Sequence, residues 1–312
     1  MHLLLTASHS FLLLDTDSGA WVPLDQGHGL YYGIAQNDDR LYVAARHRLV
    51  SSDIEQAQES GEILIFDRAL QSCGSLRAPF PLRDMHEIAW HDGKLWVTCS
   101  YEDMIAVFDG VEWSQWFPLG NSGGEPRDVH HFNSFLFEDD RIWLLAHKRG
   151  ASELLGFAKE SRELVDRVAL GKCGHNIWRE SGQLLTCSSA TGRLLGEHGF
   201  SLETGGFPRG VVFDGSTRCV GVSSPAERND RDYTSGKLMI FDRNWIFQKE
   251  IGLPGAGLIL DLQPLPPGFQ YAPPSPACGS VDTPLARLRE RLRGEGSKPK
   301  LSRWSKLVRP FG

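Results

Sequence analysis

The chain has 312 residues, 41% hydrophobic and 23% charged, with 33 glycines and 17 prolines, which is enough apolar content for a sizeable core and unlike disordered, collagenous or coiled-coil chains. The net charge of −6 is uneven: residues 283–312 carry nine Lys and Arg against two Glu, leaving −13 on residues 1–282, a body expected to repel nucleic acid. The first apolar run, MHLLLTASHSFLLLDTD, is broken by Thr6, Ser8 and His9 and has no basic leader, so neither a membrane span nor a secretion signal is expected, and a cytoplasmic location follows.

Six cysteines lie far apart without a C-x-x-C pair, which fits reduced thiols better than a zinc knuckle or a disulfide framework. From the N-terminus, HLLLTAS, SFLLLDTD and AWVPLD read as three strands with no strand before them. Five fuller repeats follow, each beginning with one short strand: YYGIAQ (31–36), HEIAWH (86–91), NSFLFE (133–138), HNIWRE (175–180) and RGVVFD (209–214). An acidic or Gly-containing turn leads into the second strand, in NDDRLYVAA, HDGKLWVTC, EDDRIWLLA, ESGQLLTCS and DGSTRCVGV. The third strands, among them ILIFD (63–67), IAVFD (105–109) and LMIFD (238–242), recur about every 45 residues, the period of propeller blades.

The lone strand GLILDLQPL (257–265) completes the N-terminal three, so an all-β, six-bladed β-propeller closed by strands from both chain ends is expected over residues 1–265. A Pro-rich linker (266–282) and a basic tail (283–312) follow, the tail opening with a short helix in TPLARLRERL and available for contact with a protein or an anionic surface.

In a propeller, the starts of the innermost strands and the ends of the second strands open on one face around the channel. Tyr32, His86, Asn133, His175 and Arg209 occupy equivalent strand starts, and eight of the eleven histidines (9, 28, 47, 86, 130, 131, 147 and 175) fall on this rim. Imidazoles from several blades suit Fe, Cu, Mn or Zn, so one divalent ion is expected on His86, His131 and His175, with His130 competing for the place of His131. Glu87 and Asp84 would accept imidazole N–H groups behind the ion. Arg209 would anchor an anionic substrate with help from Arg46, Tyr32, Tyr101 and Asn133, while His47 and His147 would move protons, Glu87 supporting them. Two long connections, 46–62 and 223–237, rise over the same face as a candidate lid. No P-loop, G-x-G-x-x-G, G-x-S-x-G or H-E-x-x-H motif is present.

The segments H-E-I-A-W-H-D-G-K-L-W-V (86–97), H-N-I-W (175–178) and H-F-N-S-F-L-F (131–137), with the F-D strand closures, resemble the six-bladed propeller superfamily of gluconolactonase-type lactonases, calcium-dependent phosphotriesterases and strictosidine synthase-like proteins. That resemblance implies a divalent ion in the channel on a Glu, Asn and Asp set; His86, Asn133, His175 and Arg209 stand at the matching strand starts, so the carboxylate set does not carry over. The H-x-N-x-F-L start also resembles bacterial propeller proteins of unassigned function. Two readings follow: a metal-dependent oxygenase, lyase or hydrolase for a small, anionic organic substrate, or a binding propeller whose histidines line the channel and whose tail docks.

Overall fold

The computed structural model describes residues 1–120, 128–147 and 150–271. Six four-stranded antiparallel sheets are arranged as propeller blades. Blade one joins β1 (His2–Ala7), β2 (Ser10–Asp15) and β3 (Trp21–Gln26) to the last strand, β24 (Ile259–Pro264), which pairs with β1 on the inner side, so both chain ends close the ring as expected. Blade two is β4 (Tyr31–Gln36), β5 (Leu41–Ala45), β6 (Glu62–Phe66) and β7 (Ser72–Leu76); blade three is β8 (Met85–His91), β9 (Lys94–Cys99), β10 (Met104–Phe108) and β11 (Trp113–Trp116). Blade four is β12 (Phe132–Phe137), β13 (Arg141–Ala146), β14 (Ala151–Ala158) and β15 (Leu164–Lys172). Blade five is β16 (Gly174–Glu180), β17 (Gln183–Ser188), β18 (Arg193–Gly196) and β19 (Ser201–Glu203), and blade six is β20 (Phe207–Phe213), β21 (Thr217–Ser223), β22 (Gly236–Asp242) and β23 (Phe247–Leu253).

The recurring aspartate after the third strand has a local cause. Asp15, Asp67, Asp109 and Asp242 each turn a carboxylate oxygen onto backbone N–H groups two to four residues ahead, as Asp109 does for Val111 and Glu112, and so fix the turn into the fourth strand. Leu, Val, Ile and aromatic side chains of the middle strands fill the spaces between blades, with Trp96 between Trp116 and Phe135, and Trp178 against Trp245. The chain stays packed past the expected end at residue 265: Phe269 is buried against Leu64 and Phe66, and Gln270 N–H donates to the Arg68 carbonyl, so the compact unit runs to Tyr271. The tail, its helix at 283–292 and all but the first residues of the linker lie outside the described residues. Among the described residues no helix is long and apolar enough to cross a membrane.

One irregularity repeats in all six blades and builds the site. Each innermost strand slips register against its neighbour near its start: between Tyr31 and Ile34, Met85 and Ile88, Phe132 and Ser134, His175 and Ile177, and Arg209 and Val211, and opposite Thr6 and Ala7 in β24. Such a bulge places one extra residue in the inner strand and re-aims consecutive side chains.

Candidate functional site

The bulges create two stacked rings. The upper one is Tyr32, His86, Asn133, His175 and Arg209, the equivalence the sequence suggested, with Leu260 from the closing strand as the sixth member. The lower one is Gly33, Glu87, Ser134, Asn176, Gly210 and Asp261.

The lower ring stitches blades together. Ser134 Oγ accepts the N–H of Asn176 at 2.7 Å, Asn176 Oδ1 accepts that of Gly210 at 2.7 Å, and Asp261 Oδ2 accepts that of Ile34 at 2.9 Å. Glu87 accepts the N–H of Phe135 and pairs with Ser134, so its carboxyl faces the next blade and not an imidazole as expected. Gly33 and Gly210 sit where a Cβ would collide with the backbone of Ile88 and Leu262. Burial, with the nearby Asp261 charge, pushes the Glu87 carboxyl up to about 8, and burial pushes that of Asp261 up to about 7.

Above this belt lie four imidazoles. Ring centroids are 4.7 Å apart for His86 and His131, 4.1 Å for His131 and His147, 5.9 Å for His147 and His175, and 6.1 Å for His86 and His175. Their tautomers follow from the partners. The Ser189 hydroxyl donates to the Pro208 carbonyl at 2.7 Å, so its 2.8 Å contact with His175 Nδ1 is a donation by the ring. Ser100, at the equivalent strand end two blades earlier, donates likewise to the Phe132 carbonyl, and His86 Nδ1–H points at the Asp84 carbonyl at 2.9 Å and Ser100 Oγ at 3.1 Å. His131 Nδ1 faces the Asp128 carboxylate at 2.7 Å. In all three rings Nε2 is the atom left for a ligand, and His175 Nε2 is buried with no hydrogen-bond partner. Burial holds His86 and His175 well below the usual imidazole range and lowers His147 to about 3, so these rings are neutral at pH 7.

His131, and not His130, joins the cluster. The Asp103 carboxylate accepts the N–H groups of Val129, His130 and His131, and His131 takes a left-handed backbone (φ 53°), which leaves His130 stacked on Phe132. Asp84 lies 3.7 to 3.8 Å from the Nδ1 atoms of His131 and His86, and these three residues carry ligating atoms close enough to hold an ion, although an ion on the Nδ1 atoms would displace the hydrogen bonds that tie them back. Asp84 also receives Arg46 Nη1 and Gln56 Nε2, and the charge of Arg46 above all keeps its carboxyl, despite burial, well below the usual range. Below the imidazoles, a cavity of about 10 Å³, the size of one water or ion, is lined by His86, Asn133 and His175 and by Glu87, Ser134, Asn176 and Asp261 of the lower ring. Asn133 Nδ2 donates to the Gly174 carbonyl, so Oδ1 is the orphaned atom, buried without a donor like His175 Nε2.

Two of the other expected substrate ligands are engaged elsewhere. Arg46 is buried in a double ion pair with Glu59 (2.8 and 2.5 Å) and Asp84 (2.5 Å), so its charge binds the 46–62 loop to blade three and does not face a substrate. Tyr101 stacks under the Arg83 guanidinium at 4.6 Å. His47 pairs with Glu62 at 2.6 Å, beside His28, and not with the channel histidines. Arg209 has no carboxylate paired with it among the described residues, its Nη1 reaches the Tyr32 hydroxyl at 3.4 Å, and its Nε is buried without a partner. It lines a groove of about 420 Å³ between blades five and six, with Phe207, Ser224, Arg231 and Leu258. The two long loops meet over the face: the Asp232 carboxylate, fully buried, accepts the N–H groups of Val50 (3.2 Å) and Ser51 (2.7 Å), and its carbonyl receives His9 Nε2. Sequence reasoning missed Asp128, Asp103 and Asp232; only the repetition of Ser100 and Ser189 after equivalent strands offered a signal.

No protein-family model matches the chain, and no curated protein matches it. Among solved structures the chain is similar to a protein of unknown function from Bacteroides caccae (12% identity, 84% of this chain and 97% of that one, TM-score 0.60). It is also similar to a chain of a nidogen/laminin complex (13% identity, 84% and 97%, TM-score 0.58). At these identities the likeness is one of fold, and the gluconolactonase resemblance likewise reaches no further than the six-bladed propeller.

Proposed function

We propose that the chain is a metal-dependent enzyme, an oxygenase, lyase or hydrolase, that acts on a small organic anion at the mouth of the propeller channel. The observation that carries this reading is the set of three imidazoles, His86, His131 and His175, each tied back at Nδ1 and each leaving Nε2 for a ligand, with the buried Nε2 of His175 lacking any partner. Imidazoles sharing an ion at about 2.1 Å have centroids about 4.5 to 5.5 Å apart; the His86–His131 pair fits at 4.7 Å, and His175, 6.1 Å from His86, would have to move toward both rings to join them. A first-row divalent ion (Fe, Cu, Mn or Zn) held by these residues would supply Lewis acidity. Arg209 holds the anionic group in its groove and Tyr32 orients that guanidinium, whereas burial, which lowers His147 to about 3, makes that imidazole too weak a base to take a proton at neutral pH.

The test is elemental analysis of untagged chain purified without chelator or nickel resin, beside the double variant His86→Ala, His175→Ala. The variant is expected to hold about one equivalent less metal with an unchanged circular dichroism spectrum. Equal stoichiometry in the two proteins would overturn the site and leave a binding propeller whose histidines line the channel.

A further inference from the structure

Outside the channel, a second group of ligating side chains gathers where blades one and two meet. His28 lies in the turn between β3 and β4, His47 follows β5, and Glu62 opens β6. His47 Nε2 is 2.6 Å and His28 Nδ1 3.8 Å from the same oxygen, Glu62 Oε1, and the two rings cross at 69° with centroids 5.1 Å apart. His28 Nδ1 is buried with no hydrogen-bond partner.

The groups behind these atoms are already placed. Glu62 Oε2 receives Ser75 Oγ at 2.8 Å and Arg77 Nε at 2.9 Å, which fixes the carboxylate and leaves Oε1 facing the imidazoles. Burial would raise the Glu62 carboxyl, but the hydrogen bonds from Arg77, Ser75 and His47 outweigh it and hold the acid at about 2. His28 Nε2 looks toward Asp25 Oδ2 at 3.6 Å, and Asp25 is itself held by the Tyr31 hydroxyl at 2.7 Å. The backbone is equally fixed: His47 N–H donates to the His28 carbonyl at 2.8 Å, His47 has φ 53°, and Gly29 presses so closely on His47 and Arg48 that no Cβ would fit.

An ion pair between His47 and Glu62 would satisfy those two residues alone. It leaves the buried His28 nitrogen aimed at an oxygen 3.8 Å away, too far for a hydrogen bond. The geometry points to a second metal site at the rim, in which His28 Nδ1, His47 Nε2 and Glu62 Oε1 bind one first-row divalent ion of the Zn²⁺ type. Two imidazoles and one carboxylate are a borderline-soft set with room for water in the remaining positions. Loading moves the His47 proton from Nε2 to Nδ1, or releases it, and replaces a shared proton by the ion between the same atoms. None of these residues belongs to the channel cluster, so the rim site stands whether or not the channel holds metal.

The test strips the full chain with chelator, removes the chelator, and titrates it with Zn²⁺ and, for its visible absorption, Co²⁺. With the channel disabled by His86→Ala and His175→Ala, about one equivalent is expected to bind, and adding either Glu62→Gln or His28→Asn is expected to abolish it with the thermal transition still cooperative. Glu62→Gln leaves a carbonyl oxygen to accept from Ser75, and His28→Asn keeps a polar group at the partly exposed turn, so one of the two should fold if the other does not. A channel-disabled protein that binds no ion, or one whose stoichiometry is unmoved by both rim substitutions, overturns the rim site. Loss of metal on channel substitution alone would sink the rim site and keep the channel; loss on rim substitution alone would do the reverse.

Discussion

The Ser189 hydroxyl stands 2.8 Å from His175 Nδ1 and gives its own proton to the Pro208 carbonyl, so it can only accept from the ring and thereby leaves His175 Nε2 unprotonated. Ser100 does the same for His86 through the Phe132 carbonyl two blades earlier in the chain. Ser189→Ala removes the acceptor without touching Nε2, and the ring is then free to turn or to exchange tautomers. Metal affinity at the channel is expected to fall about 10- to 100-fold. Competition with a chromogenic chelator measures it, and an unchanged dissociation constant would show that the serine serves only packing between blades.

Arg209 has an open groove on one side and the aromatic rings of Phe207 and Tyr32 within 5.0 and 5.9 Å on the other. Its side chain is therefore positioned without a countercharge, and an anion entering the groove supplies one. Arg209→Lys keeps the charge but loses the planar fork, and Arg209→Ala loses both. Affinity for small carboxylates and phosphate esters, read by calorimetry, is expected to weaken in that order, by about 1.5 to 3 kcal/mol for the alanine variant, while channel metal stoichiometry stays constant. Equal binding by all three proteins would remove Arg209 from substrate recognition.

The blade repeat was legible because it is written locally: each hydrophobic strand, acidic turn and Asp-closed hairpin fits within one stretch of chain. The upper ring was legible for the same reason, since counting back from each turn reaches Tyr32, His86, Asn133, His175 and Arg209. What failed was assignment by proximity to the rim. Arg46 looks like a free cation until Glu59 and Asp84 arrive from a loop and from the next blade, and His47 looks like a general base until Glu62 is seen held by Ser75 and Arg77. The choice between His130 and His131 depends on a left-handed backbone pinned by Asp103, 28 residues before His131, which no side-chain pattern encodes.

Asp232 ties the two long loops across the channel face through the N–H groups of Val50 and Ser51. Because the carboxylate is fully buried, its removal leaves those donors to find water or nothing. Asp232→Ala is expected to lower stability by about 2 kcal/mol and to open the 46–62 loop to limited proteolysis, with the blades intact. Asp232→Asn, which keeps one acceptor, should fall between. Proteolysis of the alanine variant at the wild-type rate would mean that Arg46, through Glu59 and Asp84, is enough to hold the 46–62 loop.

Asp261 makes the propeller's stability depend on pH in an unusual direction. Its carboxyl in β24 is buried and raised to about 7, against about 3.9 in the unfolded chain, so between those values the native state holds a proton that the unfolded state has lost. The native state then binds more protons than the unfolded one, and the contribution of this group to stability is full below about pH 4 and is lost as the pH rises through about 7. Within that window the slope from this one proton is at most about −1.4 kcal/mol per pH unit. Asp261→Asn can still accept the N–H groups of Ile34 and Leu262, which the two carboxylate oxygens now take at 2.9 and 2.8 Å, through its single carbonyl oxygen. Denaturant unfolding at a series of pH values from 5 to 9 is therefore expected to show the wild type losing stability toward alkaline pH more steeply than the variant. Parallel curves would mean that Asp261 is ionised throughout and that a cation or ordered water in the channel already compensates its charge.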